Sequence, residues 1–288
     1  MTQQQDPWMI FESTDYDVPC QCKRYEGRVA MVTGAAQGLG RVIARRLAQE
    51  GASVVIADFN DEKGTRTARE LEDETGQPFM WVGGDLSQPG VADNIVRQAL
   101  DRFGQIDTLV NNAAFQARLP LLDFSEELMQ RSVDTNVWGT VRTLKAVLPH
   151  MIERRYGRIV NIGGTAFEAG IPYHTFLGGI GKGSVVGLTT TVAAEFGQWG
   201  ITSNCVSPGG METRADGTPD SVAGQREPEL NPTEEMFNTY GPMGGRNWIG
   251  RGRCHPTEVA AAVAFLGSHE ASFITGQLLG ANGGARMV

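Results

Sequence analysis

The hydrophobic positions of this 288-residue chain form short, nearly continuous apolar runs that alternate with longer stretches in which apolar residues recur every three or four positions. The short runs are typical of strands buried on both faces, and the longer stretches of amphipathic helices. Seven runs predict strands, at residues 29–33, 52–57, 78–83, 106–111, 157–162, 201–207 and 274–280. The alternation predicts βαβ units and therefore a parallel sheet covered by helices.

Two stretches interrupt the alternation. Residues 1–26 are polar and acidic, and we expect an N-terminal extension that is disordered or lies across a neighbouring subunit. Residues 211–253 are rich in Gly, Pro, Met and Arg and too long for a simple connection, which favours a substrate-binding loop. Residues 27–288, including that loop, are expected to form one catalytic domain.

Charge and cysteine usage exclude several classes of protein. The 25 basic and 33 acidic side chains give a net charge of −8, which argues against nucleic acid or an anionic membrane as the partner. No apolar run is long enough to span a membrane and the chain starts without a signal-peptide pattern, so a cytoplasmic protein is expected. The four cysteines and four histidines show no metal-binding spacing, so no metal site is expected.

A glycine-rich turn follows the first predicted strand directly, at residues 34–40. Gly34, Gly38 and Gly40 allow the backbone to approach a pyrophosphate at the N-terminus of the next helix. The second strand leads into Asp58, 18 residues beyond Gly40, which can bind the adenosine ribose hydroxyls and would repel a 2′-phosphate. A dinucleotide site that prefers NAD(H) to NADP(H) is therefore predicted, with an ordinary surface aspartate as the alternative.

Several segments, in the same order along the chain, resemble motifs of the short-chain dehydrogenase/reductase family. They are the T-G-x-x-x-G-x-G cofactor motif at 33–40, the adenine-contacting pair Asp85-Leu86, the N-N-A-G-like segment 111–114, the helical Asn136, the segment from Pro208-Gly209 to Thr213 near the nicotinamide, and the closing strand from Thr275-Gly276 to Gly283-Gly284. The likeness covers residues 26–288. It implies a Rossmann-type doubly wound parallel sheet of about seven strands, with helices on both faces.

The resemblance also implies the cofactor and the assembly. The expected cofactor is NAD, and the expected assembly is a homo-oligomer, a tetramer or a dimer. The residues expected to hold the cofactor are Gly34, Gln37, Gly38, Leu39, Gly40, Asp58, Asp85, Leu86, Asn112, Lys182, Pro208, Gly209 and Thr213. Lys182 and Asn136 are further expected to organise the ribose and a proton-relaying water.

The catalytic pattern of the family is incomplete in this chain. Family members usually use a serine, a Y-x-x-x-K pair and the asparagine, and the spacing places Tyr and Lys one helical turn apart. Lys182, just before a helix predicted over 184–196, matches the lysine, but Gly178 stands four residues earlier and Gly164 at the serine position. Both groups that would touch a substrate oxygen are therefore expected to be missing.

Two ways of counting leave the serine position open. Thr165 lies 13 residues before Gly178, a separation like that of the family's Ser and Tyr, so its hydroxyl is a candidate substitute. Counting from Pro172 instead indicates one extra residue before Lys182 and leaves Gly164 as the match.

Other candidates for the acid or base are few. Tyr173 and His174 lie in a loop that could fold back over the nicotinamide, and a histidine titrates in the right range. Lys182 could donate the proton if burial lowered its pKa. For Tyr173 and His174, lining the loop without a chemical role is the alternative.

The glycines at 178, 179, 181 and 183 allow two interpretations. In one, the segment is a loop, the helix begins later and Lys182 is displaced from the family position. In the other, the absence of side chains opens room beside the nicotinamide for a bulky substrate.

The combined pattern predicts an NAD-dependent oxidoreductase with an atypical acid–base site. Its small-molecule substrate is expected to be a secondary alcohol or ketone, cyclic or aromatic and bearing an anionic group. Two alternatives are a lyase or isomerase that is redox-neutral or recycles its own NAD, and a non-catalytic NAD-binding protein.

Overall fold

The computed structural model describes residues 22–170, 175–211, 249 and 254–287, with residues 169 and 175–178 described by their backbone only. Residues 1–21 and most of the predicted 211–253 loop therefore lie outside the described residues.

The seven predicted strands are confirmed and form one sheet. They are β1 (Val29–Thr33), β2 (Ser53–Asp58), β3 (Phe79–Gly83), β4 (Thr108–Asn111), β5 (Gly157–Ile162), β6 (Ile201–Pro208) and β7 (Leu278–Ala281). Their order is β3-β2-β1-β4-β5-β6-β7, and all neighbouring pairs are parallel. The order reverses between β1 and β4, and in such sheets ligands bind outside the carboxyl ends of the strands at this point.

Helices connect the strands on both faces of the sheet. They are α1 (Gly38–Gln49), α2 (Asp61–Thr75), α3 (Val91–Phe103), α4 (Glu126–Val133), α5 (Gly139–Arg154), α6 (Thr165–Ala169), α7 (Gly183–Phe196) and α8 (Pro256–Leu266). Two π-helical segments, Asp134–Trp138 and Thr175–Lys182, lead into α5 and α7. Short 3-10 turns lie at Leu121–Asp123, Gly197–Trp199 and His269–Ala271.

The core has two apolar layers, one on each face of the sheet. Ala30 and Val32 of β1 pack in the layer that contains residues of α1 and α8. Met31, between them, packs in the opposite layer with residues of α3 and α5. Alternation of side chains along a strand requires this separation, and the sheet is therefore covered on both sides, as the Rossmann-type prediction stated.

The last strand begins later than its apolar run predicts. Before it, two backbone bonds to β6, from the Gly276 N–H to the Ser203 carbonyl oxygen and from the Cys205 N–H to the Gln277 carbonyl oxygen, both at 2.8 Å, are accompanied by bonds of the Asn204 side chain. Asn204 Nδ2 donates to the Ile274 carbonyl oxygen at 2.7 Å, and the Gln277 N–H donates to Asn204 Oδ1 at 3.1 Å. Regular pairing starts only at Leu278.

The segment just before β1 packs on the core. Tyr25 is 1% exposed, and its hydroxyl donates to the Ala264 carbonyl oxygen at 2.8 Å. Arg24 forms an ion pair with the fully buried Glu50. These residues belong to the predicted extension 1–26, whose boundary stays a prediction because residues 1–21 are not described.

Candidate active site

The turn between β1 and α1 is built from glycines that leave no room for a side chain. Gly34 and Gly38 have φ angles of 65° and 60°, in the left-handed region that favours glycine. A Cβ on Gly40 would lie 2.6 Å from Asn112 Nδ2 and 2.8 Å from Ala35 Cα, and would overlap the Gly34 carbonyl oxygen. Glycine at position 40 thus allows the first turn of α1 to lie against the end of β1.

Asn112, just after β4, fixes the shape of this turn. Its Nδ2 donates to the carbonyl oxygens of Thr33 and Gly34 at 3.0 and 3.1 Å. The backbone N–H groups of Asn112 and Ala113 each donate to Thr33 Oγ1 at 3.0 Å. Four hydrogen bonds therefore join β1 and β4 where the strand order reverses. A cofactor contact by Asn112 stays a prediction.

The N-terminus of α1 is open to an anion. Gln37 precedes the helix but makes no side-chain cap, and the first turn holds no acidic residue. The Gln37 Oε1 instead accepts a hydrogen bond from Lys63 Nζ at 2.8 Å. Leu39, predicted to bind the cofactor, has a side chain only 6% exposed in the core, so only its backbone faces the turn. Uncapped N–H groups and the helix dipole favour a phosphate here.

Asp58 ends β2 beside the glycine turn. It is 7% exposed; its Oδ2 accepts from the Ala36 N–H at 3.1 Å and its Oδ1 from the Asn60 N–H at 3.2 Å. A carboxylate has about four lone-pair sites, so each oxygen can still accept a hydrogen bond from a ligand hydroxyl. The carboxylate is thus fixed next to the turn, unlike an ordinary surface aspartate.

The pair Asp85-Leu86 follows β3, with its two side chains in different environments. Asp85 is exposed, and its Oδ1 accepts from the Ser87 N–H at 2.9 Å. Leu86 is 8% exposed and belongs to the core. Arg142 donates to the carbonyl oxygens of Leu86 and Ser87 at 3.1 and 2.7 Å, which fixes this segment on α5. The sequence prediction missed Arg142, because one arginine on a helix is not distinctive.

Asn136 lies in the π-helical segment between α4 and α5, and its side chain is committed to the backbone. Its Oδ1 accepts from the Phe115 N–H at 2.7 Å, and its Nδ2 donates to the Phe115 carbonyl oxygen at 2.9 Å. Asn136 is 3% exposed. Its Nδ2 also donates to Ser132 Oγ at 3.2 Å, and the arrangement anchors the segment that follows β4. A contact between Asn136 and a proton-relaying water stays a prediction.

Lys182 ends the second π-helical segment, and its amine lies at the carboxyl end of β5. Its Nζ donates to the Ile162 carbonyl oxygen at 2.7 Å. Burial lowers the pKa of Lys182 from 10.5 to about 8, although the nearby Cys205 acts in the opposite direction. Burial also raises the pKa of Cys205 to about 12, while Lys182 lowers it. At pH 7 the lysine is mostly protonated and acts as a donor.

The backbone before Lys182 is helical, so the loop interpretation of the four glycines is wrong. Residues Thr175–Lys182 form a π-helix that continues into α7. A π-helical turn holds one residue more than an α-helical turn because its hydrogen bonds join i and i+5. The residue one turn before Lys182 is then Leu177 in a π-helix or Gly178 in an α-helix, and neither carries a hydroxyl.

Two adjacent glycines after β5 differ in the space around them. A Cβ on Gly164 would meet only Lys182 Cγ, at 3.9 Å, whereas a Cβ on Gly163 would lie 2.8 Å from Cys205 Sγ. We expect Gly164→Ser to change the free energy of unfolding by less than about 0.5 kcal/mol. Gly163→Ser is expected to cost about 1–3 kcal/mol because the buried thiol must move. Urea denaturation of both variants checks the pair, and equal losses would contradict it.

Comparison with known proteins places this geometry in a family. The profile of the enoyl-(acyl carrier protein) reductase family matches residues 34–286. The 2,3-dihydroxy-2,3-dihydro-p-cumate dehydrogenase of Pseudomonas putida is 34% identical over 264 residues, which cover 91% of this chain and 96% of that protein. The chain belongs to the short-chain dehydrogenase/reductase family.

Two further similarities extend over almost the whole of this short-chain dehydrogenase/reductase. The 2,5-dichloro-2,5-cyclohexadiene-1,4-diol dehydrogenase of Sphingobium indicum is 36% identical over 261 residues, covering 90% of this chain and 96% of that protein. A crystal structure of NAD+-bound xylitol dehydrogenase superposes with a TM-score of 0.78 and 29% identity, covering 91% of this chain and all of that one. The fold and the family therefore agree.

The family implies a nicotinamide dinucleotide, and the described residues fit one. Position 40 has no room for a side chain, since any Cβ there would collide with its neighbours. The N-terminus of α1 is uncapped, and Asp58 accepts a hydrogen bond from the turn that precedes it. Pro208 ends β6, and the following Gly209 N–H donates to the Ala281 carbonyl oxygen at 3.1 Å.

Three predicted site residues are not described, and a fourth lies beside this arrangement. Tyr173, His174 and Thr213 lie outside the described residues. Thr165 begins α6 directly after Gly164 and is partly exposed. Within the described part of the chain, no helix has the length and apolarity to cross a membrane, and His, Cys, Asp and Glu side chains form no group of metal-binding type.

Glu168 of this short-chain dehydrogenase/reductase lies at the same end of the sheet and was missed by sequence reasoning. Its Oε1 accepts a hydrogen bond from Ser207 Oγ, on β6. A single glutamate after a strand carries no sequence signal of its own. Only the folding of α6 over the strand ends brings it near Cys205, whose pKa it helps to raise.

Proposed function

We propose that this protein is an NAD(H)-dependent dehydrogenase or reductase for a secondary alcohol or ketone. The observation that supports it most is the buried Asp58 carboxylate, bonded to the Ala36 N–H at the glycine turn. A carboxylate in this place suits two ribose hydroxyls and disfavours a 2′-phosphate. Lys63 could instead favour a phosphate, but its amine donates to Gln37 Oε1.

The proposed substrate is a cyclic or aromatic small molecule. Two similar dehydrogenases are named for cyclic diols. Phe167 and Ile180, at the α6 and Lys182 end of the fold, are 41% and 42% exposed and offer apolar surface. The proposed site lacks a tyrosine and a serine at the family positions. An anionic group on the substrate, cytoplasmic location and assembly into a tetramer or dimer stay predictions.

The cofactor preference tests the proposal. We expect NAD+ to bind at least about 10²-fold more tightly than NADP+, because two like charges in close contact cost several kcal/mol. Asp58→Asn removes the charge and should reduce this preference about tenfold or more. Glu62→Gln, an exposed site on α2, makes the same charge change and should leave the preference unaltered. Tryptophan-fluorescence titration with both cofactors measures it.

Turnover distinguishes the proposal from its alternatives. When a panel of cyclic secondary alcohols is incubated with the protein and NAD+, the amount of NADH formed should equal the amount of ketone formed. Substrate turnover without net NADH would favour a lyase or isomerase that recycles its cofactor. Tight NAD+ binding without any turnover of the panel would favour a non-catalytic nucleotide-binding protein.

A further inference from the structure

The acid–base group of this site is not identified: Tyr173 and His174 lie outside the described residues, and the two described candidates, Lys182 and Thr165, are poor proton acceptors. Lys182 is mostly protonated at pH 7, given its pKa of about 8, and its amine already donates to the Ile162 carbonyl oxygen. Thr165 carries a neutral hydroxyl, which needs a base of its own to accept a proton. Oxidation of an alcohol requires an acceptor within hydrogen-bond reach of the hydroxyl.

A carboxylate lies on the face of the sheet where the acceptor is needed. Cys205 and Ser207 are two residues apart on β6, so their side chains share one face, and Val206 packs in the layer on the other face. Ser207 Oγ donates to Glu168 Oε1. Lys182 and Glu168 both act on the pKa of Cys205, in opposite directions. Lys182 Nζ donates to the carbonyl oxygen of Ile162, which pairs with Val206 of β6, so Glu168 and the Lys182 amine both lie at the carboxyl ends of β5 and β6.

The short helix α6 gives Glu168 its position. Gly164 is the N-cap of α6, and Glu168 lies in the single turn that follows it. A Cβ on Gly164 would point at the Lys182 side chain, at 3.9 Å. Gly164, at the family serine position, therefore lies next to Lys182 and directly before the helix that carries Glu168. α6 also packs on the Thr175–Lys182 segment.

We propose that the Glu168 carboxylate, held by Ser207, is the catalytic base and acid that replaces the missing tyrosine. This inference rests on the proposed function. In alcohol oxidation the O–H bond breaks and Glu168 takes its proton, while the C–H bond breaks and the carbon and oxygen form a carbonyl. A bound NAD+ supplies the acceptor for the two-electron hydride. The proton then passes from Glu168, which is partly exposed, to water, and ketone reduction runs the same transfers in reverse.

Isosteric replacement tests the carboxylate. With NAD+ and cyclohexanol or cyclohexane-1,2-diol as probes, Glu168→Gln should lower kcat about 10²-fold or more, with unchanged NAD+ affinity. Glu168→Asp keeps a carboxylate and should fall between Glu168→Gln and the wild type. The control is Glu195→Gln, an exposed change on α7 about 18 Å along the helix from Gly183, which should leave kcat unaltered.

The pH profile separates Glu168 from Lys182. Among the described residues, Glu168 acts on the pKa of Cys205, and Lys182 acts on the same pKa. In the wild type, kcat/KM for oxidation should rise with pH along an acidic limb as the base loses its proton. Glu168→Gln should remove that limb, whereas a limb near pH 8 from Lys182 should stay. Loss of the limb near pH 8 alone would assign the base to the lysine and overturn the proposal.

A second readout needs neither cofactor nor turnover. In the cofactor-free protein, the ¹³C carboxyl resonance of Glu168 is identified by its absence in Glu168→Gln. Ser207→Ala, at a positioning residue, should move the chemical shift of this resonance at neutral pH, because the carboxylate loses its hydroxyl donor. The same variant should lower kcat more than it raises KM. An unmoved resonance would contradict the placement of the carboxylate.

The outcomes distinguish the two proposals. If the wild type oxidises the probes but Glu168→Gln stays within about threefold of its kcat, the inference is wrong and the proposed function stands. If the wild type reduces neither NAD+ nor NADP+ with any cyclic alcohol, the proposed function is wrong and the inference falls with it.

Discussion

Gly40→Ala is expected to unfold at lower denaturant concentration than the wild type and to lose dinucleotide binding. The added methyl group would lie 2.6 Å from Asn112 Nδ2 and 2.8 Å from Ala35 Cα, and would overlap the Gly34 carbonyl oxygen. Two of these three neighbours are backbone, which cannot turn aside as a flexible side chain can. The expected loss is about 1–3 kcal/mol of unfolding free energy.

Binding should suffer as well, because relief of the overlap requires α1 to move away from the end of β1. The displaced N–H groups would no longer point at a pyrophosphate, and NAD+ affinity should fall at least about tenfold. The control is Gly187→Ala in α7, where a Cβ meets nothing within 4 Å. That change should raise the unfolding free energy by about 0.5–1 kcal/mol. Urea denaturation and NAD+ titration measure both variants, and unchanged NAD+ binding by Gly40→Ala would contradict the proposed phosphate site.

Glu50→Ala is expected to cause a still larger loss of stability. The Glu50 side chain is fully buried at the end of α1. Its Oε2 accepts from Arg24 Nε at 2.6 Å, and its Oε1 accepts from Arg24 Nη2 and Arg46 Nε at 2.7 Å each. Removal of the carboxylate leaves two guanidinium groups close together without their acceptor. We expect a loss of about 3 kcal/mol, at the low end for buried pairs because both arginines keep some contact with water.

The pH dependence of stability gives an independent check on Glu50. Burial by itself would raise the pKa of Glu50, but the hydrogen bonds from Arg24 and Arg46 outweigh it and hold the pKa below 4.5. A carboxyl group whose pKa is lower in the folded state stabilises the protein above its unfolded pKa, and this contribution is lost as the pH falls through the folded pKa. The difference between wild type and Glu50→Ala should therefore be full at neutral pH and shrink on acidification.

A matched surface variant tests whether burial causes the effect. Glu70→Ala removes an α2 carboxylate that pairs with Arg41 and Arg66 while its side chain is 49% exposed. Exposed pairs contribute about 0–1 kcal/mol, so this variant should lose far less stability than Glu50→Ala. Equal losses from the two variants would show that the Glu50 network contributes no more than a surface pair.

The sequence predicted the elements of the fold better than their ends. The strand predicted at 106–111 begins two residues later, at Thr108, because Asp107 uses its side chain to accept from the Val29 N–H at 2.8 Å. A side chain that replaces a ladder bond leaves the apolar pattern unchanged, so the pattern cannot reveal it. The π-helix before Lys182 could not be predicted either. Its eight residues include several glycines, and so short a segment shows no helical periodicity.

The sequence by itself determined the order of the strands and helices, the glycine turn and the position of Asp58, because each of these follows from neighbours along the chain. It also predicted that no tyrosine or serine occupies the family positions near Lys182, and this stays a prediction. Only the tertiary structure decided what stands beside that lysine. Glu168 and Ser207 are 39 residues apart in sequence, and they meet because α6 folds over the carboxyl ends of β5 and β6. Contacts of that separation depend on the packing of strands and helices, which no local pattern records.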